Sequence, residues 1–493
     1  MEGVEVERPL KLHFIPFPAP GHMIPMCKIA TLFASRGHHV TIITTPSNTH
    51  FFTNKNSSFA IPFFHLHTVD FPFQEVGLAN GIESLSSTAD LTTATKINSG
   101  LILLQGPIGD FLEKDPPDYI IVDCIYPGVY DLADKLHIPT IGFTVMSLFT
   151  VSLLESLRTT HLLHPHTDSD LDSHSFVVPN FPHHITLCTK PPKMFTIFLE
   201  MMLETIHKSN RLIVNSFTEL DGKECVEHYE KIMGHKAWHL GPHSLICETV
   251  QEKAERGNES VVSVHECQSW LNSKQENSVL YICFGSLCNF SDKQLYEISC
   301  GIEASGKKFI WVVPEKKGKE DESDEEKEKW LPKGFEERNI RRNKMGLIIR
   351  GWAPQVLILS HPAVGAFMTH CGWNSVVEAV SAGIPMITWP VHGEHFYNEK
   401  LITNVRGIGV EVGATEWCLY DFGKKKVVSR DNIEKAVRRL INGSSEAKEI
   451  RQRARELGEK ARLAVQQGGS SNNNLLSLVD DLKRWRDIRK TLD

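Results

Sequence analysis

Short runs of apolar, often β-branched residues alternate with longer stretches of helical periodicity along most of the chain. The runs in the first half are LKLHFIPF, HVTIITT, DYIIVD, TIGFTV and RLIVNS, and those in the second half are SVLYICFGS, KKFIWVV, GLIIRGW, VGAFMTH, PMITWP and GIGVEV. Most of them are nearly continuous in apolar residues, as in parallel strands that are covered on both faces. Strands that alternate with helices in this way predict an α/β fold built from doubly wound domains.

The length of the chain and its polar segments predict how these elements divide into domains. A chain of 493 residues is too long for one hydrophobic core, so two large domains are expected. The polar segment 251–266 lacks apolar periodicity and is the predicted linker between domains at 1–250 and 267–470. The acidic segment 315–330 is expected to be a solvated loop rather than a regulatory patch. Residues 471–493 open with Ser and Asn and then place leucines on one helical face, which predicts an amphipathic helix.

Composition and charge exclude several classes of protein. Apolar residues make up 41% and charged residues 23% of the chain, as in an ordinary globular protein. The formal net charge of −7 argues against broad nucleic-acid binding and against attraction to anionic membranes. The N-terminal segment is acidic where a signal peptide is basic, and no apolar stretch reaches the roughly 20 residues that span a bilayer. We therefore expect a cytoplasmic protein without stable membrane insertion, whose eleven cysteines are free thiols.

The segment VGAFMTHCGWNS joins a predicted buried strand to a predicted helix. The strand ends at His370, Gly372 follows, and Asn374 and Ser375 begin the helix. A helix N-terminus offers free N–H groups and partial positive charge, and ligands of open α/β sheets bind at the carboxyl ends of the strands. A diphosphate fits this position, although an ordinary helix cap would have the same sequence. The Rossmann and Walker glycine patterns are missing, which argues against a dinucleotide or ATP site.

Two further segments carry potential chemistry. In WPVHGEHFYNEK, three potential ligands, His392, Glu394 and His395, fall within four positions. They could bind a metal ion or a ligand rich in hydroxyl groups. In FPAPGHMIPM, His22 begins a predicted helix, and Asp123 closes a predicted strand. A histidine at a helix N-terminus is kept neutral and can accept a proton, but each of these residues could equally be a cap or a packed side chain.

The span from Trp352 to His395 reads WAPQVLILSHPAVGAFMTHCGWNSVVEAVSAGIPMITWPVHGEH, which is 44 residues. It resembles the donor-binding signature of plant secondary-product UDP-glycosyltransferases, the family 1 glycosyltransferases. The similarity extends over nearly the whole chain and is closest to the legume branch that decorates saponins and flavonoids. It implies the GT-B architecture, in which two Rossmann-like domains face each other across a cleft. It also implies that the C-terminal helix packs back on the first domain, and we expect a monomer.

The resemblance implies a role for each residue that matches the family pattern. His22 would be the catalytic base and Asp123 the carboxylate that orients it. Trp352 would stack on uracil beside Ala353, while Gln355 and Glu378 would hold the ribose. The predicted diphosphate ligands are Ser286, His370, Asn374 and Ser375. The predicted sugar contacts are Trp373, Glu394 and His395.

These roles imply an inverting transfer of a sugar from a UDP-sugar to a small apolar acceptor. No cofactor or metal is expected, because the UDP-sugar is a co-substrate and Glu394 and His395 match sugar contacts. The sugar is expected to be glucose. Galactose and xylose are the alternatives, because most family members end this motif in Gln and this chain ends it in His395. A catalytically silent nucleotide-sugar binder and a metal-dependent hydrolase that uses His392 and His395 are rivals of other classes.

The resemblance also bears on the acceptor, which is expected to be a plant specialised metabolite modified at a hydroxyl or carboxyl. A triterpenoid sapogenin or saponin is preferred, with a flavonoid as the alternative. The segment 190–208 is rich in Met and Phe and could line a pocket for such a molecule, although the same pattern is common in plain core helices. The predicted acceptor contacts are Tyr126, Phe149, Met194 and Phe198.

Overall fold

Two parallel β-sheets form the centres of two α/β domains in the computed structural model. The structure describes residues 8–52, 62–85, 91–163, 175–187, 191–246, 263–285, 288, 290–314, 329–417 and 426–492. The first sheet has seven strands within these residues, in the order β3-β2-β1-β4-β5-β8-β9. Its strands are β1 (Lys11–Ile15), β2 (His39–Thr44), β3 (Phe64–Thr68), β4 (Tyr119–Asp123), β5 (Thr140–Thr144), β8 (Leu212–Val214) and β9 (Ala237–His239). A separate antiparallel pair is formed by β6 (Phe176–Val177) and β7 (Thr186–Leu187).

The second sheet has six strands in the described part of the chain, in the order β12-β11-β10-β13-β14-β15. Its strands are β10 (Val279–Cys283), β11 (Lys308–Val313), β12 (Gly346–Arg350), β13 (Val364–Thr369), β14 (Met386–Thr388) and β15 (Gly409–Glu411). All pairs in both large sheets are parallel, and β4 and β13 are buried along their whole length. This confirms the predicted α/β class and explains the continuous apolar runs, because helices cover both faces of each sheet.

Helices connect the strands on both faces of the sheets. Those of the first domain are Pro20–Ala34, Phe73–Val76, Leu91–Leu103, Gln105–Lys114, Pro127–Lys135, Leu148–Thr159, Lys193–Lys208, Thr218–Asp221 and Lys223–Met233. Those that follow are Val264–Asn272, Asp292–Ser305, Gln355–Leu359, Trp373–Ala382, His395–Lys400, Arg430–Leu440, Ser445–Val465 and Ser470–Leu492. Shorter 3₁₀ and π turns lie at Pro46–Phe51, His243–Leu245, Glu337–Arg342 and Leu401–Val405. None of the described helices is long and apolar enough to cross a membrane.

The strand order places a switch point in each sheet. In the first sheet the chain moves outward from β1 through β2 and β3 and then continues on the other side of β1 with β4. The second sheet does the same around β10 and β13. Crevices form at the carboxyl ends of the strands where the order reverses, and ligands of doubly wound folds bind there.

The last helix, Ser470–Leu492, leaves the second domain and packs on the first. Its Leu475, Leu478 and Leu482 are almost completely buried in the core around β1 and β2. The hydroxyl of Tyr119 donates to the carbonyl of Leu482 at 2.9 Å. The helix therefore joins the two ends of the chain through one hydrophobic core.

Two predicted segments fall largely outside the described residues. Of the predicted linker 251–266, only 263–266 are described, and they include the start of the helix Val264–Asn272. Ser263 caps this helix by accepting from the backbone N–H of Glu266. Of the predicted solvated loop 315–330, only the last two residues are described.

Candidate active site

A cleft of about 1050 Å³ lies between the two domains and is lined by both. The first domain contributes residues from the loop after β1 and from the end of β4, including His22 and Asp123. The second domain contributes residues from the loop after β13 and the helix Trp373–Ala382, which we call the site helix. The two switch points therefore face each other across a single cavity.

His22 and Asp123 form a hydrogen-bonded pair at the first switch point. Pro20 stands at the first turn of the helix Pro20–Ala34, where its missing N–H costs nothing, so His22 lies within that turn. The ring Nδ1 of His22 lies 2.7 Å from Oδ2 of Asp123. The side chain of Asp123 is 1% exposed, and its second oxygen accepts from the backbone N–H of Ile125. An ionised carboxylate can only accept, so Nδ1 carries the proton and Nε2 is left to accept one.

The loop after β13 turns sharply before the site helix begins. Cys371 adopts a left-handed conformation with φ of 67°, which is unusual for a residue with a side chain. Two hydrogen bonds hold this turn. The hydroxyl of Thr369 accepts from the N–H of Cys371 at 3.3 Å, and the amide of Asn398 donates to the carbonyl of Cys371 at 2.9 Å. The turn directs the N-terminus of the site helix at the cleft.

The ring of His370 lies between two glycines at this loop. A β-carbon at Gly372 would lie 2.3 Å from Nε2 of His370, and one at Gly285 would lie 2.7 Å from it. Only glycine leaves room for the ring at both positions. Burial, aided by the nearby His392, lowers the pKa of His370 to about 3. His370 is therefore neutral near pH 7 and can donate one hydrogen bond without bringing a charge into the cleft.

A polar cluster lies along the site helix behind its first turn. The side-chain amide of Gln355 donates to Glu378 at 2.8 Å and to the hydroxyl of Ser375 at 3.0 Å, and its oxygen accepts from Tyr281. Trp352 and Ala353 line the same end of the cleft. The structure thus brings these predicted nucleotide contacts together. Ser286 lies outside the described residues.

The loop before the helix His395–Lys400 supplies a carboxylate and an imidazole to the cleft. The backbone N–H of Trp373 donates to Glu394 at 3.4 Å, while burial raises the pKa of the Glu394 carboxyl. His395 is buried, and its ring packs edge-on against His370 with 4.8 Å between centroids. The Nε2 atom of His392 lies 4.0 Å from the thiol of Cys288. Among the described residues, no three His, Cys, Asp or Glu side chains are arranged as a metal site.

Trp373 and Asn374, predicted as ligand contacts, also join the two domains. The indole N–H of Trp373 donates to the carbonyl of Asn215 at 2.8 Å. The amide of Asn374 donates to the carbonyl of Gly21 at 2.6 Å and accepts from Asn215 at 3.1 Å. The first turn of the site helix is therefore attached directly to the residue that precedes His22.

Comparison with known proteins explains why these groups meet in one cleft. Residues 12–453 match the family model described as "UDP-glucoronosyl and UDP-glucosyl transferase". The chain belongs to this family. It is therefore a UDP-glycosyltransferase, as the donor signature indicated.

Relatives and solved structures support this assignment over the full length of the transferase. It is 45% identical over 490 residues to a UDP-glucosyl transferase 73CC6 of Saponaria officinalis, with 98% of each chain covered. It is 43% identical over 485 residues to a UDP-glucose flavonoid 3-O-glucosyltransferase 7 of Fragaria ananassa, with 96% of each covered. The crystal structure of UGT73P12 of Glycyrrhiza uralensis, complexed with glycyrrhetinic acid 3-O-monoglucuronide, superposes with a TM-score of 0.87 at 36% identity and covers 98% of both chains. The fold is the GT-B type that the resemblance implied.

The half of the transferase's cleft that lies in the first domain is largely apolar. Phe198 and Tyr126, two of the predicted acceptor contacts, line it, and the hydroxyl of Tyr126 donates to the carbonyl of Leu101. The prediction that Phe149 contacts the acceptor is corrected here. Its ring does not line the cleft, because it is fully buried in the core and packs on Phe181. Met194 lies in the helix Lys193–Lys208, but its side chain is outside the described residues.

Several residues of the site escaped the sequence analysis. Phe195 lines the cleft next to Phe198, one helical turn before Leu199. Gln105 also lines it and packs over Gly128, where a β-carbon would collide with its amide. Asn215 follows β8 and joins the domains. Asn215 could have been found from the sequence, because it is a polar residue at the carboxyl end of an apolar strand. The same pattern singled out Asp123.

Proposed function

We propose that this transferase moves an uncharged sugar from a UDP-sugar to a hydroxyl or carboxyl group of an apolar plant metabolite, with inversion at the anomeric carbon. The observation that carries the proposal is the His22–Asp123 pair, with Nδ1 and Oδ2 at 2.7 Å, opposite the N-terminus of the site helix in one cleft. One side of the cleft supplies a base, and the other supplies a site for a phosphate leaving group.

The base acts on the acceptor hydroxyl. Nε2 of His22 takes the hydroxyl proton as the acceptor oxygen attacks the anomeric carbon from the face opposite the diphosphate. The new carbon–oxygen bond forms while the bond from that carbon to the phosphate oxygen breaks, and UDP leaves with the electron pair. Asp123 keeps the proton on Nδ1 and stabilises the imidazolium that forms. A single displacement converts an α-linked donor to a β-glycoside.

The described residues on the second-domain side of the cleft offer the departing diphosphate neutral hydrogen-bond donors. Among the described residues that line the cleft there is no Lys or Arg. We propose that the free N–H groups of the site helix, the neutral His370 and the hydroxyls of Ser375 and Ser286 hold the phosphates, with Asn374 beside them. Such preorganised donors stabilise charge strongly in a cleft that excludes water.

The nucleoside is proposed to lie at the far end of the site helix. Trp352 would stack on the uracil beside Ala353, and Glu378 would accept from the ribose hydroxyls with Gln355 next to it. Gln355 already donates to Glu378 at 2.8 Å, which holds the two side chains together beside the proposed ribose position. A carboxylate suits this role because it accepts from two hydroxyls at once.

The sugar is proposed to meet Trp373, Glu394 and His395. Glu394 is half-buried in the cleft, so a second carboxylate beside it would be repelled with little water to screen the two charges. This argues for glucose, galactose or xylose over a uronic acid. We keep glucose first, because the Saponaria and Fragaria relatives are named as glucosyl transferases. Galactose and xylose remain alternatives because His395 stands where Gln is usual.

The acceptor is proposed to be a triterpenoid sapogenin or saponin, with a flavonoid as the alternative and a hydroxyl or carboxyl as the group modified. Phe198, Phe195 and Tyr126 offer a wide apolar surface beside His22. The Fragaria relative is named for a flavonoid acceptor, and the Glycyrrhiza structure holds a glycyrrhetinic acid derivative, which is a triterpenoid. The division into an acceptor domain at 1–250 and a donor domain at 267–470 belongs to the same proposal.

Product analysis tests the proposed function. The protein is incubated with UDP-glucose, UDP-galactose, UDP-xylose and UDP-glucuronic acid, each against sapogenin and flavonoid acceptors, and products are identified by mass spectrometry and NMR. We expect β-glycosides of an uncharged sugar and no activity change with a chelator. Release of no UDP from any combination would contradict the proposal and favour one rival, a silent nucleotide-sugar binder, whereas loss of activity with a chelator would favour the other, a metal-dependent hydrolase. The cytoplasmic location and monomeric state expected from the sequence remain predictions, which fractionation and light scattering would test.

A further inference from the structure

Asn215 lies between the two domains at the carboxyl end of β8 and is completely buried. Its side-chain nitrogen donates to Oδ1 of Asn374 at 3.1 Å. Its side-chain oxygen accepts from the backbone N–H of His243 at 3.2 Å and lies 3.0 Å from the ring Nδ1 of His243. Its carbonyl accepts from the indole of Trp373 at 2.8 Å. Both polar atoms of the Asn215 side chain thus have hydrogen-bond partners. Asn215 itself does not line the cleft.

Two backbone groups fix the direction of this chain of hydrogen bonds. The carbonyl of Gly21 can only accept, so Asn374 must direct its NH₂ group at Gly21, at 2.6 Å. The oxygen of Asn374 then faces Asn215, which must present its own NH₂ group. The oxygen of Asn215 in turn faces the N–H of His243, which can only donate. An asparagine side chain of this length and with one donor and one acceptor end is therefore required at position 215.

The hydrogen bonds run from Gly21, which precedes the base, through Asn374 and Asn215 to His243, near the nucleotide end of the cleft. Gly21 is covalently bonded to His22, and Asn374 stands in the first turn of the site helix. At the other end, Nε2 of His243 lies 3.7 Å from the carboxylate of Glu378. Asn215 thus contacts the first turn of the site helix and His243 directly and reaches Gly21 through Asn374, while touching none of the reacting groups.

We propose that Asn215 is a positioning residue, which sets the distance between His22 and the anomeric carbon by holding the first turn of the site helix against the helix of the base. The inference rests on the proposed function. A misplacement of about 1 Å between reacting groups can cost on the order of 100-fold in rate, so one interdomain contact can control turnover without touching substrate. Binding of UDP, which involves the second domain, depends much less on this distance.

The test compares Asn215→Asp with Asn215→Ala. The aspartate has the same shape but presents an oxygen to Oδ1 of Asn374, which replaces attraction with repulsion. We expect kcat to fall by about 10- to 100-fold in both variants, while the Kd for UDP and the KM for the acceptor change by less than about threefold. If the buried carboxylate of Asn215→Asp prevents folding, Asn215→Ala still tests the proposal.

A matched control removes another buried hydrogen bond between the same two domains. The hydroxyl of Ser244 donates to that of Ser381 at 2.9 Å, outside the chain that runs through Asn215. We expect Ser244→Ala to keep kcat within about twofold, although it loses a net hydrogen-bond contribution of similar size. A second check is Asn215→Ala combined with Asn374→Ala. The two losses in kcat should be far from additive if both act through the same contact.

The outcomes separate this inference from the proposed function. If the wild-type protein transfers sugar but Asn215→Asp and Asn215→Ala keep their kcat, the inference is wrong. It is also wrong if kcat falls equally in the Asn215 and Ser244 variants in step with their melting temperatures, because the role is then only structural. If the wild-type protein transfers no sugar to any acceptor, the proposed function has failed first.

Discussion

The imidazole of His22 is held on two sides by its neighbours. Asp123 lies 2.7 Å from its Nδ1 atom, and the edge of Phe17 packs against the ring with 5.5 Å between centroids. The side chain keeps 17% exposure, toward the cleft. A ring fixed in one tautomer and open on one side is suited to take a proton from a bound hydroxyl.

Removal of this ring should affect turnover far more than nucleotide binding. We predict that His22→Ala lowers kcat by at least about 100-fold, the usual scale for loss of a general base. The Kd for UDP, measured by calorimetry, should stay within about twofold, because the proposed nucleotide contacts all belong to the second domain. His50→Ala, at an exposed histidine of the same domain, is the control. Full activity in His22→Ala would remove the base from the proposed mechanism.

His395 provides a second test at the scale of one residue. A glutamine offers both an acceptor and a donor at the end of a flexible chain, whereas the His395 ring is rigid and shorter. A sugar hydroxyl left unpaired costs about 1–3 kcal/mol, which corresponds to roughly 10- to 100-fold in selectivity. We predict that His395→Gln shifts the product ratio at least severalfold toward glucose when glucose, galactose and xylose donors compete. Equal changes for all three donors would show that His395 does not contact the sugar.

At the scale of elements, the loop after β13 determines where the site helix begins. The left-handed Cys371 and the glycines on both sides of the His370 ring keep the turn tight. A left-handed residue with a side chain costs about 1–2 kcal/mol, and this strain is offset by two hydrogen bonds of Cys371, which donates its N–H to Thr369 and accepts at its carbonyl from Asn398. The turn aims the helix N-terminus at the cleft, and its strain lies next to the proposed phosphate site.

This loop gives a prediction with a matched control. Gly372→Ala would place a methyl group 2.3 Å from Nε2 of His370, so the ring must move away from the site. We expect UDP affinity to fall by about 1–3 kcal/mol, the cost of a lost hydrogen bond to a charged group and a displaced partner. Gly443→Ala, where a β-carbon meets nothing within 4 Å, should leave affinity unchanged. Calorimetry with UDP alone gives the comparison, and equal affinity in both variants would show that His370 does not hold the phosphates.

At the scale of the whole molecule, the helix Ser470–Leu492 ties the second domain to the core of the first. Its buried leucines share one core with β1 and β2, and Arg211 of the first domain pairs with Asp481 at 2.5 Å. Since the cleft is built from both domains, any element that joins them contributes to its geometry. The helix does so from the side opposite the reacting groups.

The contribution of this helix can be measured by unfolding. Leu478 is 0% exposed, and Leu478→Ala should lower the free energy of unfolding by about 2–5 kcal/mol, as expected for a large-to-small change in a core. Leu476 is 49% exposed on the same helix, and Leu476→Ala should stay within about 0.5 kcal/mol of the wild type. Denaturant unfolding of both variants provides the measurement. Equal stability of the two would mean that the helix does not depend on this core.

The sequence by itself determined the α/β fold and the chemistry at the strand ends. Parallel strands covered on both faces require continuous apolar runs, so a polar residue that ends such a run stands out, as Asp123 and His370 do. Asp123 is the last residue of β4 and His370 directly follows β13, which placed both at the carboxyl edges of the sheets, where ligands bind. The linker was harder to define, because Ser263 already caps a helix inside the predicted segment.

Only the tertiary structure decided which apolar residues face the acceptor and which polar residues join the domains. Phe149 and Phe198 both lie on apolar helical faces, and the same spacing serves a core or a pocket wall. Packing buries the first in the core and turns the second to the cleft. Asn215 acquires its contacts with Trp373 and Asn374 only when the second domain packs against the first. Contacts between residues distant in sequence depend on how the two folded domains pack against each other, and local sequence patterns do not encode that arrangement.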